Sequence, residues 1–268
     1  YNADGTEATT TVEYGVLTAK EAITSGGGSI DEWTTVTTKA ELEAAVTAGG
    51  KIKLGADIDL ASAALTVREG KTVILDLAGK EISVTDNSAI INRGTLTVRD
   101  SVGGGKITAT GDLYGVSCID SSGTLTVEGG KIEGNYSPLS ITSGTASIEG
   151  GTFLGIKVYI QSGTLTVSGG VFDCRDYAIY NYGGTLKLVG NGYTLNEGAY
   201  GVQIAWGSAN ADFDFSEATG AAYTIESYGD GYDLSKITLP TGWKLYNADS
   251  TEATTTVKYG ALTAKAAE

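Results

Sequence analysis

The sequence predicts an all-β fold, a parallel β-helix, from a repeated phrase, the spacing of its copies and the alternation within each copy. The phrase G-T-L-T-V has three exact copies, at Gly94–Val98, Gly123–Val127 and Gly163–Val167. Two altered copies stand at Gly144–Ile148 and Gly184–Leu188, and an earlier partial copy without the glycine stands at Ala64–Val67. The first glycines of the copies therefore recur at intervals of roughly 20–30 residues, and self-similarity at such a period is typical of a stacked solenoid.

Each repeat predicts three short strands. Within the phrase, apolar residues alternate with threonine, so Leu96 and Val98 are expected to face inward and Thr95 and Thr97 outward. The second strand follows a Gly-Gly pair, as in Lys131-Ile132, Thr152-Phe153 and Val171-Phe172. The third strand precedes the next glycine and contains a pair of apolar residues: Ala89 and Ile91, Leu139 and Ile141, or Val158 and Ile160. Because one rung cannot bury its inward residues alone, rungs are expected to stack at about 4.8 Å. A β-propeller, with four strands per roughly 40 residues, does not fit this spacing.

A second, larger repeat relates the two ends of the chain. The stretch that begins at Tyr1 returns almost unchanged from Tyr246, and the two copies differ at four positions only, which are Gly5/Ser250, Glu13/Lys258, Val16/Ala261 and Glu21/Ala266. This near-identity between distant segments predicts a tandem array of large modules. Each copy of this terminal block is expected to form a hairpin, with a strand, an Asn-Ala-Asp turn and a Thr-rich return strand.

The predicted domain organisation follows from these two repeats. Five segments are expected: residues 1–22 as the end of a preceding module, 23–34 as a linker, 35–190 as the β-helix, 191–245 as C-terminal rungs and cap, and 246–268 as the second terminal block. A capping helix is expected near residues 38–48, because Thr38 and Glu41 form a capping-box pattern and Gly49-Gly50 ends the helical pattern. This helix would cover the open end of the first rung.

Composition excludes several classes of partner and site. The formal net charge is −14, which disfavours nucleic acid and anionic membrane surfaces. No apolar run reaches the roughly 18–20 residues of a membrane span, so we expect no membrane insertion. Cys118 and Cys174 lie two to three rungs apart, about 10–14 Å, whereas a disulfide needs Cα atoms within about 7 Å. Both cysteines are therefore expected to be free and buried.

The stretch from Thr35 to Gly190 also carries a family resemblance. It contains T-T-K-A-E-L-E-A-A-V-T-A-G-G-K-I-K-L-G-A-D-I-D-L, then L-T-V-R-E-G-K-T-V-I-L-D-L-A-G-K-E-I, then G-T-L-T-V-R-D-S. This pattern resembles the right-handed parallel β-helix domains of large secreted or surface adhesin-like repeat proteins of gut bacteria and archaea. The resemblance implies a right-handed coil, a short N-terminal capping helix and an extracellular, cell-surface or filament location. It implies no particular ligand or reaction.

The expected function is a structural or adhesive module of a tandemly repeated extracellular surface or filament protein. Its expected partners are neighbouring copies or modules of the same protein, packed head to tail, and glycans. Exposed aromatic rings are natural platforms for sugars, and the aromatic residues concentrated late in the chain are the candidate glycan-binding residues: Tyr177, Tyr180, Tyr182, Tyr200 and Trp206. A non-catalytic carbohydrate-binding module is one alternative function.

The residue types present also bear on catalysis, metal binding and ice binding. A polysaccharide lyase or glycoside hydrolase is the enzymatic alternative, but the chain has no histidine and so lacks the G-H-G motif of polygalacturonases; we identify no catalytic residues. No cofactor is expected. Asp57 with Asp59 and Asp212 with Asp214 suggest calcium, but neither pair alone supplies the roughly six to eight oxygen ligands it needs. The outward threonines also resemble the T-x-T arrays of ice-binding β-helices, although Lys187 interrupts the file.

Overall fold

The computed structural model describes residues 32–111, 117–195, 200–204, 210–220, 222–227, 232–257 and 260–267. These residues form an all-β parallel solenoid of about seven turns, with one short helix near the N-terminal side, which confirms the predicted fold class. The first terminal block and most of the expected linker lie outside the described residues. The first strand begins at Trp33, within the stretch expected to be linker.

The elements alternate short strands with tight turns. The first half of the chain contains β1 Trp33–Val36, α1 Lys39–Ala48, β2 Gly50–Leu54, β3 Ile58–Asp59, β4 Leu65–Val67, β5 Thr72–Asp76, β6 Glu81–Thr85, β7 Ile90–Asn92, β8 Thr95–Arg99, β9 Lys106–Thr110, β10 Ser117–Ser121, β11 Thr124–Val127, β12 Lys131–Gly134 and β13 Ser137–Ile141. The second half contains β14 Thr145–Ile148, β15 Thr152–Gly155, β16 Val158–Ile160, β17 Thr164–Val167, β18 Val171–Cys174, β19 Tyr177–Asn181, β20 Thr185–Gly190, β21 Thr194–Leu195, β22 Tyr200–Ile204, β23 Asp212–Ala218, β24 Ala222–Ser227, β25 Tyr232–Asp233, a 3₁₀ turn Leu234–Lys236, β26 Ile237–Thr238, β27 Trp243–Tyr246, β28 Thr256–Val257 and β29 Gly260–Ala266.

Three sheets run along the described solenoid. Sheet 1 carries the G-T-L-T-V strands in the order β1-β2-β5-β8-β11-β14-β17-β20-β23-β26. Sheet 2 has the order β3-β6-β9-β12-β15-β18-β21, and sheet 3 has the order β4-β7-β10-β13-β16-β19-β22-β24-β29-β27. Neighbouring strands are parallel until the end of sheet 3, where β29 pairs antiparallel with β24 and with β27.

The repeated phrase stacks on itself, as its spacing predicts. Leu125 of β11 pairs with Leu96 of the turn before and Ala146 of the turn after, and this file continues to Leu165 and Leu186. The inward residues of all three sheets meet in one continuous hydrophobic core. In sheet 2 the buried rings of Phe153 and Phe172 stack with their centroids 5.0 Å apart.

The third strand differs from the sequence expectation at one turn. Ile90 and Asn92, not Ile91, face the core in β7, because Ile90 pairs with the buried Ile119 of β10. The fully buried Asn92 donates from Nδ2 to the Thr124 carbonyl of the next turn at 2.9 Å. A buried amide is tolerated only when it is hydrogen-bonded, and here its bonds fasten the corner to the neighbouring turn.

Glycine recurs before the sheet 1 strands because successive turns approach closely there. A Cβ atom on Gly123 would lie 2.1 Å from the Gly94 carbonyl oxygen, and one on Gly144 would lie 2.3 Å from that of Gly123. The same conflict recurs at Gly163 and Gly184 with the glycine of the preceding turn, at 2.5 and 2.6 Å. The repeated glycine is therefore required by stacking.

The helix closes the first turn as predicted. Thr38 and Glu41 form a reciprocal capping box at the N-terminus of α1, and Gly49 follows its last residue. Leu42 and Val46 are buried on the face that packs against β1, β2 and β4. Among the residues described, no helix is long and apolar enough to cross a membrane.

Both cysteines are free and buried, which confirms the prediction against a disulfide. Burial strongly raises the pKa of the Cys118 thiol, and burial likewise raises the pKa of Cys174 to about 12. Both side chains are thus neutral, small core residues at neutral pH.

The C-terminal block has a more specific topology than a simple hairpin. The strand that pairs antiparallel with β27 is β29, whereas the Thr-rich segment contributes β28, which pairs with β25 instead. The turn between the strands is held by Asp249, whose Oδ1 accepts a hydrogen bond from the Thr251 N–H at 2.9 Å. Upstream, the Trp243 N–H donates to the Pro240 carbonyl at 3.0 Å, so the chain turns there before it enters β27.

Candidate functional site

A cluster of tyrosines lies on the outer face of sheet 3. Tyr159 of β16 pairs in register with Tyr180 of β19, which places their rings on adjacent turns with centroids 5.7 Å apart. The ring of Tyr182 lies 6.4 Å from that of Tyr159 and is 49% exposed. We call these three residues the tyrosine face. Its rings span two turns of the solenoid; Tyr159 and Tyr180 are half-buried and Tyr182 is exposed.

Charged groups border the tyrosine face. The Lys157 ammonium lies 4.0 Å from the centroid of the Tyr180 ring, within cation–π distance. Burial raises the pKa of the Asp176 carboxyl, although the charge of Lys157 opposes that shift. Burial also raises the pKa of Tyr159 and Tyr180, so both hydroxyl groups stay protonated and can donate hydrogen bonds at neutral pH.

The structure brings together some of the aromatic residues expected from sequence and separates others. Tyr180 and Tyr182 lie in the tyrosine face, whereas Tyr177 is buried with only 6% of its surface exposed. Tyr200 pairs with Tyr177 through the backbone of β22, and its side chain is not among those described. Trp206 lies outside the described residues.

Tyr159 belongs to the face but is absent from the sequence-based candidates. The sequence did indicate an outward position for Tyr159, because it stands between Val158 and Ile160, which were expected to face inward and are both buried. Alternation along a strand places the residue between two inward residues on the outer face. Its partnership with Tyr180 required the register between turns, since the two stand a full turn apart in a chain whose turn lengths vary.

A shallow groove of about 310 Å³ lies on the outside of sheet 2. Its lining includes the carboxylates of Glu133 and Asp173, the Leu154 side chain and the Arg175 guanidinium. Arg175 Nη2 donates to the Asn135 carbonyl two turns away at 2.9 Å. Arg175 therefore connects two corners that lie two turns apart, and the groove offers hydrogen-bonding groups of both charges.

Comparison with known proteins gives no relative for this chain. No family model matches it, and neither the curated proteins nor the solved structures contain a significant match. The adhesin-like identity suggested by Thr35–Gly190 therefore stays a prediction.

The two aspartate pairs make hydrogen bonds to the backbone and one ion pair. Asp57 Oδ1 accepts a hydrogen bond from the Glu81 N–H of the next turn of the solenoid at 2.9 Å. Asp59 Oδ1 accepts from the Ala61 N–H at 2.8 Å and Asp214 Oδ1 from the Ser216 N–H at 3.0 Å, while Asp212 Oδ1 lies 3.7 Å from Lys236 Nζ. In the described part of the chain, no cluster of three or more Cys, Asp or Glu side chains is arranged to hold a metal ion.

The outward threonines form two aligned files on sheet 1. One file runs Thr95, Thr124, Thr145, Thr164 and Thr185, in register from turn to turn. The second file runs Thr97, Thr126, Ser147 and Thr166 and ends at Lys187, which forms an ion pair with Glu217 of β23. A regular threonine surface therefore covers only part of this sheet.

Proposed function

We propose that this chain is a structural module of a tandemly repeated extracellular surface or filament protein, whose modules pack head to tail. The observation that carries the proposal is the duplicated terminal block. Its second copy, from Tyr246 onward, supplies β29, which lies between β24 of the last turn and β27 at the end of sheet 3. A chain that carries two such blocks, one from Tyr1 and one from Tyr246, contains the terminal block of more than one module.

The architecture of the solenoid supports a structural role. Each turn contacts its neighbours through three parallel ladders and a continuous core, so the stack forms a stiff, extended unit. The helix α1 covers one end and the antiparallel pair β27 and β29 extends the other. The helix at the covered end limits uncontrolled edge-to-edge association there.

Electron microscopy of the native material, combined with mass spectrometry of the intact chain, tests this function. We expect a chain with several copies of the module and elongated particles in which solenoids recur at a constant spacing. A native chain with a single module in isolated monomers would contradict the proposal. Purification from the cell surface or medium, against a cytoplasmic marker protein as control, checks the proposed location.

A second function, glycan contact, is favoured by the tyrosine face. Aromatic rings on adjacent turns, bordered by Lys157 and Asp176, supply both stacking surface and hydrogen-bonding groups for sugar rings. Because the chain has a net charge of −14, we propose neutral rather than acidic polysaccharides as the ligand class.

Removing the tyrosine face is expected to weaken this binding by roughly 5- to 150-fold. The double variant Tyr159→Ala with Tyr182→Ala loses two stacking rings, and one aromatic stack contributes roughly 0.5–1.5 kcal/mol. Affinity electrophoresis in neutral β-linked polysaccharides such as glucomannan and xyloglucan measures the change. Tyr246→Ala is the matched control, since its ring contacts Lys265 outside this face. Equal retardation of the wild type and the double variant would exclude the tyrosine face as a glycan site.

A further inference from the structure

The groove on sheet 2 and the tyrosine face lie on the same two turns of the solenoid. The groove is lined by Leu154 of β15 and Asp173 of β18. Each of these strands is followed along the chain by a strand of the tyrosine face, because β16 with Tyr159 comes after β15 and β19 with Tyr180 comes after β18. Only one corner of the solenoid therefore separates the two surfaces.

That corner is short, and hydrogen bonds between the two turns hold it in place. It consists of Ile156 and Lys157 in one turn and of Arg175 and Asp176 in the next. The Arg175 N–H donates to the Gly155 carbonyl at 2.9 Å, and the Asp176 N–H donates to the Ile156 carbonyl at 3.0 Å. The groove and the tyrosine face are thus fixed relative to each other by the backbone.

The side chains of this corner connect the two surfaces. Arg175 lines the groove, and the next residue, Asp176, lies close enough to Lys157 for their charges to interact. The Lys157 ammonium lies 4.0 Å from the centroid of the Tyr180 ring. Charged hydrogen-bonding groups therefore lead from the groove to the aromatic rings.

The groove combines an apolar side chain with hydrogen-bond acceptors. Glu133, Leu154 and Asp173 lie in register on three successive turns, so the leucine stands between two carboxylates. The Glu133 carboxylate pairs with Lys131 at 2.8 Å, whereas that of Asp173 makes no hydrogen bond or ion pair within the part of the chain that the structure describes. Carboxylates accept strong hydrogen bonds from hydroxyl groups. The volume of about 310 Å³ is at the small end of ligand clefts, which suits one part of a longer ligand.

We propose that the groove is a second subsite for the glycan whose first subsite is the tyrosine face, so that one neutral oligosaccharide crosses the corner and occupies both. The proposal rests on the proposed glycan contact and deepens it, because it makes affinity depend on chain length. Sugar rings stack on the tyrosines, and hydroxyl groups at the corner bond to Lys157 and Asp176. The far end of the oligosaccharide bonds to Glu133 and Asp173, whose charges disfavour acidic sugars.

Oligosaccharides of different length test the second subsite. Isothermal titration calorimetry compares the disaccharide with the hexasaccharide in neutral β-linked glucan, mannan and xylan series. The variant Glu133→Gln with Asp173→Asn keeps the shape of the groove but replaces charged acceptors by neutral ones. We expect it to weaken hexasaccharide binding by about tenfold and to leave disaccharide binding unchanged, since the disaccharide stacks on the tyrosine face alone.

Glu128→Gln with Glu149→Gln is the matched control for this variant. It also removes two carboxylates from adjacent turns, but both are exposed at the corner that follows the sheet 1 strands and do not line the groove. We expect wild-type affinity for both oligosaccharides. Arg175 stays in place in every variant, because its bond to the Asn135 carbonyl gives it a structural role.

A gain of affinity tests the same subsite independently of any loss of folding. Leu154→Tyr places an aromatic ring between the two carboxylates of the groove. We expect about two- to tenfold tighter binding of the hexasaccharide, from one added stacking contact. Ser147→Tyr is the matched control, since it adds the same ring on the outer face of sheet 1 in the same turn, where no change is expected.

The possible results separate this proposal from the glycan contact on which it rests. Equal effects of the groove double variant on both lengths, or no effect on either, would overturn the second subsite, as would equal behaviour of Leu154→Tyr and Ser147→Tyr. The glycan contact still stands in those cases if Tyr159→Ala with Tyr182→Ala weakens disaccharide binding. If no oligosaccharide of either length binds the wild type, the glycan contact and the second subsite both fail.

Discussion

Replacement of Phe153 by alanine is expected to lower the free energy of unfolding by about 3–5 kcal/mol, the usual cost of truncating a buried aromatic residue. Phe153 is fully buried and stacks on Phe172 of the next turn at 5.0 Å. Its removal leaves a cavity between two turns that the rigid ladders on either side cannot collapse to fill. Urea denaturation followed by circular dichroism measures the change.

Leu154→Ala is the matched control for this variant. Leu154 is the next residue in the same strand but lies on the outer face, where it is half-buried and lines the groove. We expect its truncation to cost about 1 kcal/mol or less, because little apolar surface leaves the core. Similar losses for Phe153→Ala and Leu154→Ala would contradict the assignment of Phe153 to the interior.

Replacement of Gly144 by alanine is expected to destabilise the solenoid by about 2–5 kcal/mol, from two contributions. An alanine at φ 71° costs about 1–2 kcal/mol for its left-handed conformation, and the close approach adds about 1–3 kcal/mol of overpacking. The new Cβ would lie 2.3 Å from the Gly123 carbonyl oxygen, so the two turns must separate. Thermal unfolding monitored by circular dichroism tests this effect.

Gly70→Ala separates the two contributions. Gly70 has nearly the same φ of 73°, but no atom lies within 4 Å of the position its Cβ would take. Its replacement is expected to cost only the conformational contribution of about 1–2 kcal/mol. If both variants lose the same stability, the conformation of Gly144 alone accounts for the glycine at that position and the close approach of the two turns does not.

The outer surfaces are where sequence and structure differ most. The candidate Tyr177 is buried, although Tyr180 in the same strand lies on the outer face. Within β19, Tyr177, Ala178 and Ile179 are all buried, so simple alternation fails at the start of this strand. Burial at these positions depends on contacts with the neighbouring turns rather than on the pattern along the chain.

The amino-acid sequence alone was enough to predict the solenoid, most inward faces of its strands, the helix that covers the first turn and the free cysteines. These features depend on local alternation, on a capping box at Thr38 and on a short period, all of which can be read along one chain. The duplicated block was also visible without coordinates, because the near-identity of its two copies needs no structure to be recognised.

The contacts between residues of different turns needed the folded structure. It placed Tyr159 beside Tyr180, put Asn92 rather than Ile91 in the core, and placed β29 antiparallel between β24 and β27 at the end of sheet 3. The physical reason is that the turns differ in length, so residues at equal distances along the chain do not align. Alignment is fixed instead by backbone pairing and core packing between turns, which a single repeat does not encode.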